Sequence, residues 1–183
     1  MYVAALQDSL PHAQALSLKG FNAFVLIYRP GWKTACEDLA RAISFLWEHT
    51  AELQIDMKGY SLWGGSAGAR MSAWLGSFGT ENFGSPHCPR AGAVIMQYTG
   101  LDEVYGNEPP TYNCVGTRDA IAYYRVMEER IAAICAQGQK AAIEVFPNLS
   151  HGFGLGEGTV AEGWLDRAAQ FWQDAVNTSN SKQ

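Results

Sequence analysis

Tyr60-Ser61-Leu62-Trp63-Gly64-Gly65-Ser66-Ala67-Gly68-Ala69-Arg70 reads as a short strand running into a glycine-rich turn and then into a helix. A serine on such a turn sits in a strained backbone, with its hydroxyl pushed outward and a helix N-terminus beneath it. Bulky side chains two residues before or after it would collide, so the geometry asks for glycine at Gly64 and Gly68. Gly64-Gly65-Ser66-Ala67-Gly68 has the G-x-S-x-G spacing of a nucleophile elbow, and an ordinary glycine-rich turn is the competing reading. The flanking chain decides between them.

Towards the N-terminus, Ala4 to Leu18 has a loose helical spacing that stops at Lys19-Gly20. Phe21 to Tyr28 is a nearly continuous apolar run, as a strand covered on both faces requires, and Arg29-Pro30-Gly31 ends it. Thr34-Ala35-Cys36-Glu37 is a capping box opening a helix whose inner face carries Leu39, Ile43 and Leu46. Towards the C-terminus, the helix after Ser66 buries Met71, Trp74, Leu75 and Phe78 and closes near Gly76 or Gly79. Strands are predicted over Ala91 to Tyr98, Thr111 to Gly116 and Ala141 to Phe146. A helix runs from Ala120 to Gln137, and Thr159-Val160-Ala161-Glu162 caps a final one holding Leu165, Ala168, Trp172 and Val176. Strands alternate with helices, which predicts an α/β domain over residues 1–176: a mostly parallel sheet with helices on both faces. Residues 177–183 read as a flexible tail.

The 183 residues can bury a proper core, and 48% apolar with 17% charged residues is a globular composition. A net charge of −5 argues against nucleic acid and anionic membranes as partners. No apolar run reaches the length of a membrane span and no signal peptide is evident, so a cytoplasmic location is expected. Cys36, Cys88, Cys114 and Cys135 are scattered, as reduced and mostly buried thiols would be. His87-Cys88 has no second ligand pair at metal-site spacing, so no metal is expected.

Ser66, Asp119 and His151 each fall just past a predicted strand, where reactive groups collect in a parallel sheet. Their order, Ser then Asp then His, is that of the α/β-hydrolase arrangement. A serine hydroxyl is a poor nucleophile until an imidazole takes its proton. His151 is the candidate base, and Asp119 would fix its tautomer and stabilise the imidazolium. Asp119 could instead cap the helix that follows it, and Asp102 is the rival acid. His12, His49 and His87 lie in worse places for a base. Tyr98 and Thr99 could line a pocket, whereas the aromatics in general, Trp63 included, read as core.

Gly64-Gly65-Ser66-Ala67-Gly68, Gly116-Thr117-Arg118-Asp119 and Ser150-His151-Gly152-Phe153 together resemble the acetyl-esterase and lipase-like branch of the α/β-hydrolases. Phe24-Val25-Leu26-Ile27-Tyr28-Arg29-Pro30 resembles that branch's strand before the helix leading to the elbow. The resemblance spans nearly the whole chain. It implies a serine carboxylesterase acting on short acyl esters, acetyl groups on sugars among them, without metal or organic cofactor. The departure lies at the front: that branch carries an oxyanion loop, often His-Gly-Gly-Gly, ahead of this region, and none is present here. Ala67 N–H can serve as one oxyanion donor, and the second has no visible source. Two expectations follow: a fragment of a longer esterase, or a shortened protein that completes itself by association. Tyr2-Val3-Ala4-Ala5-Leu6, which reads like mid-helix, favours the fragment. An exposed sheet edge would favour a homodimer. A non-catalytic α/β domain that binds a ligand or partner is the alternative of a different class.

Overall fold

Val94 and Met96 alternate with Ala93 and Ile95 along one strand, and all four are buried, so both faces of that strand must be covered. The computed structural model, which describes residues 9–180, shows how. Its elements are α1 (Ser9–Ser17), α2 (Trp32–Glu48), a short α3 (Thr50–Leu53), β1 (Ser61–Gly65) and α4 (Ala67–Phe78). After a 3-10 turn come β2 (Ala93–Gln97), β3 (Thr111–Gly116), α5 (Tyr124–Ala136), β4 (Ala141–Phe146) and α6 (Trp164–Asn180). The four strands form one parallel sheet in the order β1-β2-β3-β4, so the expected α/β architecture is what forms.

On one face, Leu62, Val94 and Met96 meet Ala40 and Ile43 of α2 and Ala69 and Ala73 of α4. Met127 of α5 continues that layer against Val115. On the other face, Ile95, Tyr112, Cys114 and Phe146 pack with Leu16 of α1 and with Trp164, Leu165 and Ala168 of α6. Trp63 leans on this second cluster, in keeping with a core role. Each parallel connection carries a helix or a long loop across the sheet, so all four strands deliver their carboxyl ends to one edge.

Several expectations need correction. Residues 21–28 are extended but join no ladder, because a strand needs a pairing partner and β1 is hydrogen-bonded only to β2. The first capping box does not cap: α2 starts at Trp32 after Gly31, whose φ of 101° swings the chain into the helix, and Thr34 lies inside. The second is a turn ahead of α6. Thr159 Oγ1 donates to Gly156 O at 2.6 Å and accepts the Ala161 N–H, while Glu162 accepts the Gly158 N–H. β2 is shorter than residues 91–98, and Trp74 and Phe78 are only half buried on α4, which closes at Gly79, one of the two expected stops. Residues 177–180, expected to fray, continue α6. The start of the first predicted helix, residues 4–8, lies outside the described residues, as do residues 181–183. Cys36, Cys88 and Cys114 are buried, and Cys135 is exposed on α5. His87 pairs with Glu81 at 3.0 Å on the surface.

Candidate active site

The elbow is built by a collision that only glycine avoids. A Cβ on Gly64 would lie 2.3 Å from the Gly68 carbonyl carbon and 2.5 Å from the Ala69 nitrogen. Strand and helix therefore touch backbone to backbone at this point. Gly68 itself is different from the expectation: a Cβ there would meet nothing within 4 Å, so its backbone, not its missing side chain, is what fills the space. Gly65 leaves room for the Tyr98 ring, which a Cβ would approach at 2.9 Å. Ser66 sits between them at φ 51°, ψ −114°, a conformation costly for a residue with a Cβ and held by its N–H bond to Gln97 O at 2.9 Å. Ala67 begins α4 directly after it, so its amide is one of the helix's unpaired N-terminal donors.

Asp119 follows β3 and His151 follows β4. A hydrogen bond of 2.7 Å joins His151 Nδ1 to Asp119 Oδ2. The Asp119 side chain is fully buried and that of His151 is one-fifth exposed. The Asp119 carboxylate serves three groups at once. Oδ1 accepts the N–H groups of Ile121 and Ala122 at 2.8 and 2.7 Å, leaving Oδ2 for the imidazole. This turn is also why α5 starts at Tyr124 rather than at Ala120. Asp102, the rival acid, is exposed and has no bond to His151.

The loop bearing His151 is pinned at both ends. Leu149 O accepts the Arg118 N–H at 3.0 Å and passes so close to Gly116 that a Cβ there would lie 2.0 Å from it. Gly154 O accepts Gln97 Nε2 at 2.9 Å and Trp164 Nε1 at 3.0 Å. Gly116 and Gln97 were not singled out in the sequence; the glycine of Gly116-Thr117-Arg118-Asp119 was the available signal. Tyr98 links the two halves of the site. Its backbone is itself left-handed at φ 35°, and its ring lies 4.7 Å from that of His151 and 5.0 Å from that of Phe153.

A cavity of about 180 Å³ opens at this sheet edge. Ser66, Ala67, Arg70, Tyr98, Thr99 and Gly100 line it, so the expectation for Tyr98 and Thr99 holds. Ile121 and Ala122 close it from the Asp119 turn. Arg70 was missed, although its place in the first turn of α4, directly after the serine, was a signal that it could reach the same site. Ser66 Oγ has no hydrogen bond among the described residues, a looseness common in unliganded sites. Among those residues, no three His, Cys, Asp or Glu side chains gather as a metal site would require. None of the helices is long and apolar enough to cross a membrane.

Residues 9–102, slightly more than half of the 183, match the model of the family described as BD-FAE. No curated protein matches the sequence. Among solved structures, the acetyl ester-xyloside bifunctional hydrolase of Caldicellulosiruptor lactoaceticus is similar at 20% identity and a TM-score of 0.78, over 90% of this chain and 75% of that one. The carboxylesterase Cest-2923 of Lactobacillus plantarum gives 14% identity and a TM-score of 0.76, over 91% and 79%. The esterase Est2 of Thermogutta terrifontis, solved with propionate bound, gives 21% and 0.75, over 90% and 75%. At these identities the likeness establishes the fold, which is that of the α/β-hydrolases.

Proposed function

We propose, from the premise that this chain belongs to the BD-FAE family, that it is a serine hydrolase of carboxylic esters whose triad is Ser66, His151 and Asp119. The observation that carries the reading is the 2.7 Å bond between His151 and buried Asp119, at the same sheet edge as a serine held in a left-handed elbow. Ser66 Oγ attacks the ester carbonyl while His151 Nε2 takes its proton. The Asp119 carboxylate accepts the Nδ1–H and stabilises the imidazolium, and His151 then protonates the departing alcohol. Water, activated by the same imidazole, releases the acid from the acyl-serine. The Ala67 N–H, at the positive end of α4, donates to the tetrahedral oxyanion.

A cavity of about 180 Å³ suits a short acyl group, of the size of the propionate bound to the Thermogutta terrifontis esterase. Ala67 N–H is the oxyanion donor this reading names, and the loss of one such donor costs about 10²–10³ in turnover. A short chromogenic ester should be cleaved by the wild type and left at the background rate by Ser66→Ala. A fluorophosphonate should label the wild type at Ser66 alone. The second reading is a ligand-binding domain without turnover, favoured by a cavity lining that includes Ser66 but neither His151 nor Asp119. An unlabelled Ser66, with equal ester rates in wild type and Ser66→Ala, would leave that reading standing and remove ours.

A further inference from the structure

We infer that Arg70 makes this pocket selective for esters that carry a carboxylate, with the guanidinium binding the anion while Ser66 attacks the ester. The inference rests on the esterase reading and adds the substrate class to it. Arg29, Arg130 and Arg167 each have a carboxylate partner. Among the described residues Arg41, Arg70, Arg90, Arg118 and Arg125 form no such pair; of these Arg70 lines the cavity, and no carboxylate is among the side chains lining it. A cavity wall that holds a free guanidinium and no acid carries an uncompensated positive charge.

The position fits recognition rather than solvation alone. Arg70 lies in the first turn of α4, which Ser66 precedes as its N-cap, and both residues line the one cavity. Arg70 Nη2 would stand 3.5 Å from a Cβ built on Gly100, an ordinary contact distance, so the guanidinium lies beside that part of the pocket wall. Thr99, on the same wall and only 2% exposed, holds its Oγ1 buried without a hydrogen-bond partner. Buried hydroxyls are ordinarily satisfied, so an unpaired one in a residue of the pocket wall is unusual. Arginine is suited to the task because its planar fork meets a carboxylate with two parallel N–H bonds, and it stays charged at every working pH. The cavity equals roughly six water volumes, enough for a small acid but not for a long chain. The carboxylate can sit on the acyl side of the ester or on the alcohol side, and the two are separable by experiment.

Two matched pairs read the selectivity. Monomethyl succinate against methyl 4-methylpentanoate puts the charge on the acyl group. 4-Acetoxybenzoate against 4-acetoxybenzamide puts it on the alcohol. A charge-assisted bond at an open-mouthed site should favour the anionic member of at least one pair by about tenfold in kcat/KM. In Arg70→Gln that ratio should fall to about one, and Arg70→Lys should retain part of it. A ratio near one in both pairs for the wild type, or a preference that survives in Arg70→Gln, overturns the inference. Calorimetric titration of benzoate and methyl succinate into wild type and Arg70→Gln separates the two readings. If no ester is cleaved, the esterase reading fails by itself. Saturable binding that Arg70→Gln abolishes then still supports the anion site, and an absence of binding ends it.

Discussion

Ser66 owes its left-handed position to neighbours that have no side chain. Its left-handed backbone is tolerated because Gly64 and Gly68 meet backbone to backbone, yet the two glycines are not equivalent. Gly64→Ala would push a methyl group to 2.3 Å from main-chain atoms that cannot rotate away. The cost should be about 2–3 kcal/mol of stability, at the upper end of overpacking, with fluorophosphonate labelling of Ser66 lost as the elbow opens. Gly68→Ala meets no obstruction and needs no positive φ, so it should be neutral or stabilising by about 0.5 kcal/mol through a less flexible unfolded chain. Urea unfolding of both variants checks the contrast, and equal costs would show that the collision is not what selects glycine. The sequence made the elbow legible because its requirements are local. It did not distinguish the glycines, because which of them faces the other's backbone depends on the angle between β1 and α4.

Elements were legible where one segment's pattern suffices, and not where a second segment decides. The strands at residues 111–116 and 141–146 lie where apolar runs between turns put them. The start of α5 was misplaced because Asp119 spends one oxygen on the Ile121 and Ala122 amides and the other on His151, a division that no periodicity reports. Nor did the sequence announce the clasp between α5 and the loop after β2. Arg130, buried on α5, donates through Nε to Glu103 O at 3.0 Å and lies 4.0 Å from Glu108. Glu108 in turn accepts the N–H groups of Tyr105 and Gly106 at 2.6 and 2.9 Å. Burial pulls the Arg130 guanidinium below its ordinary pKa, and the Glu108 charge opposes that shift. This loop begins with Thr99 and Gly100 of the pocket wall, so the clasp holds the wall in place. Glu108→Gln keeps the shape but leaves a buried cation uncompensated, which should cost about 3 kcal/mol in urea unfolding. Replacing both partners, Arg130→Met with Glu108→Gln, should recover part of that loss, since the stranded charge is gone. A double variant as weak as the two single losses added together would mean that the two groups act independently.

Over the whole molecule, one of the strand signals in the sequence belongs to a segment that is not a strand. Phe21 to Tyr28 has the apolar, branched and aromatic composition of a buried strand, but a ladder is a property of two segments, and composition reports only one. β1 gives its hydrogen bonds to β2, leaving its other edge unpaired among the described residues. Among the described residues, the extended segment is held by its flanks and by packing. The Phe21 N–H donates to Leu16 O at 3.2 Å, and its ring lies 5.0 Å from that of Trp172. At the far end, the Arg29 N–H donates to Asp38 at 2.8 Å, with the Arg29 and Asp38 side chains paired. Between these anchors, Phe24 and Ile27 are 53% and 70% exposed, values that a covered sheet strand does not show. Local stability should therefore differ sharply between segments of similar composition. In native-state hydrogen exchange, amides 22–28 should exchange orders of magnitude faster than those of β2 and β3, which are bonded on both sides and buried. Arg29→Ala should release the segment's far end and extend fast exchange into the first turn of α2, with the β2 and β3 amides unchanged. Amides 22–28 protected as well as those of β2 would mean that a partner strand covers them in solution, and the open edge of β1 would then have to be redrawn.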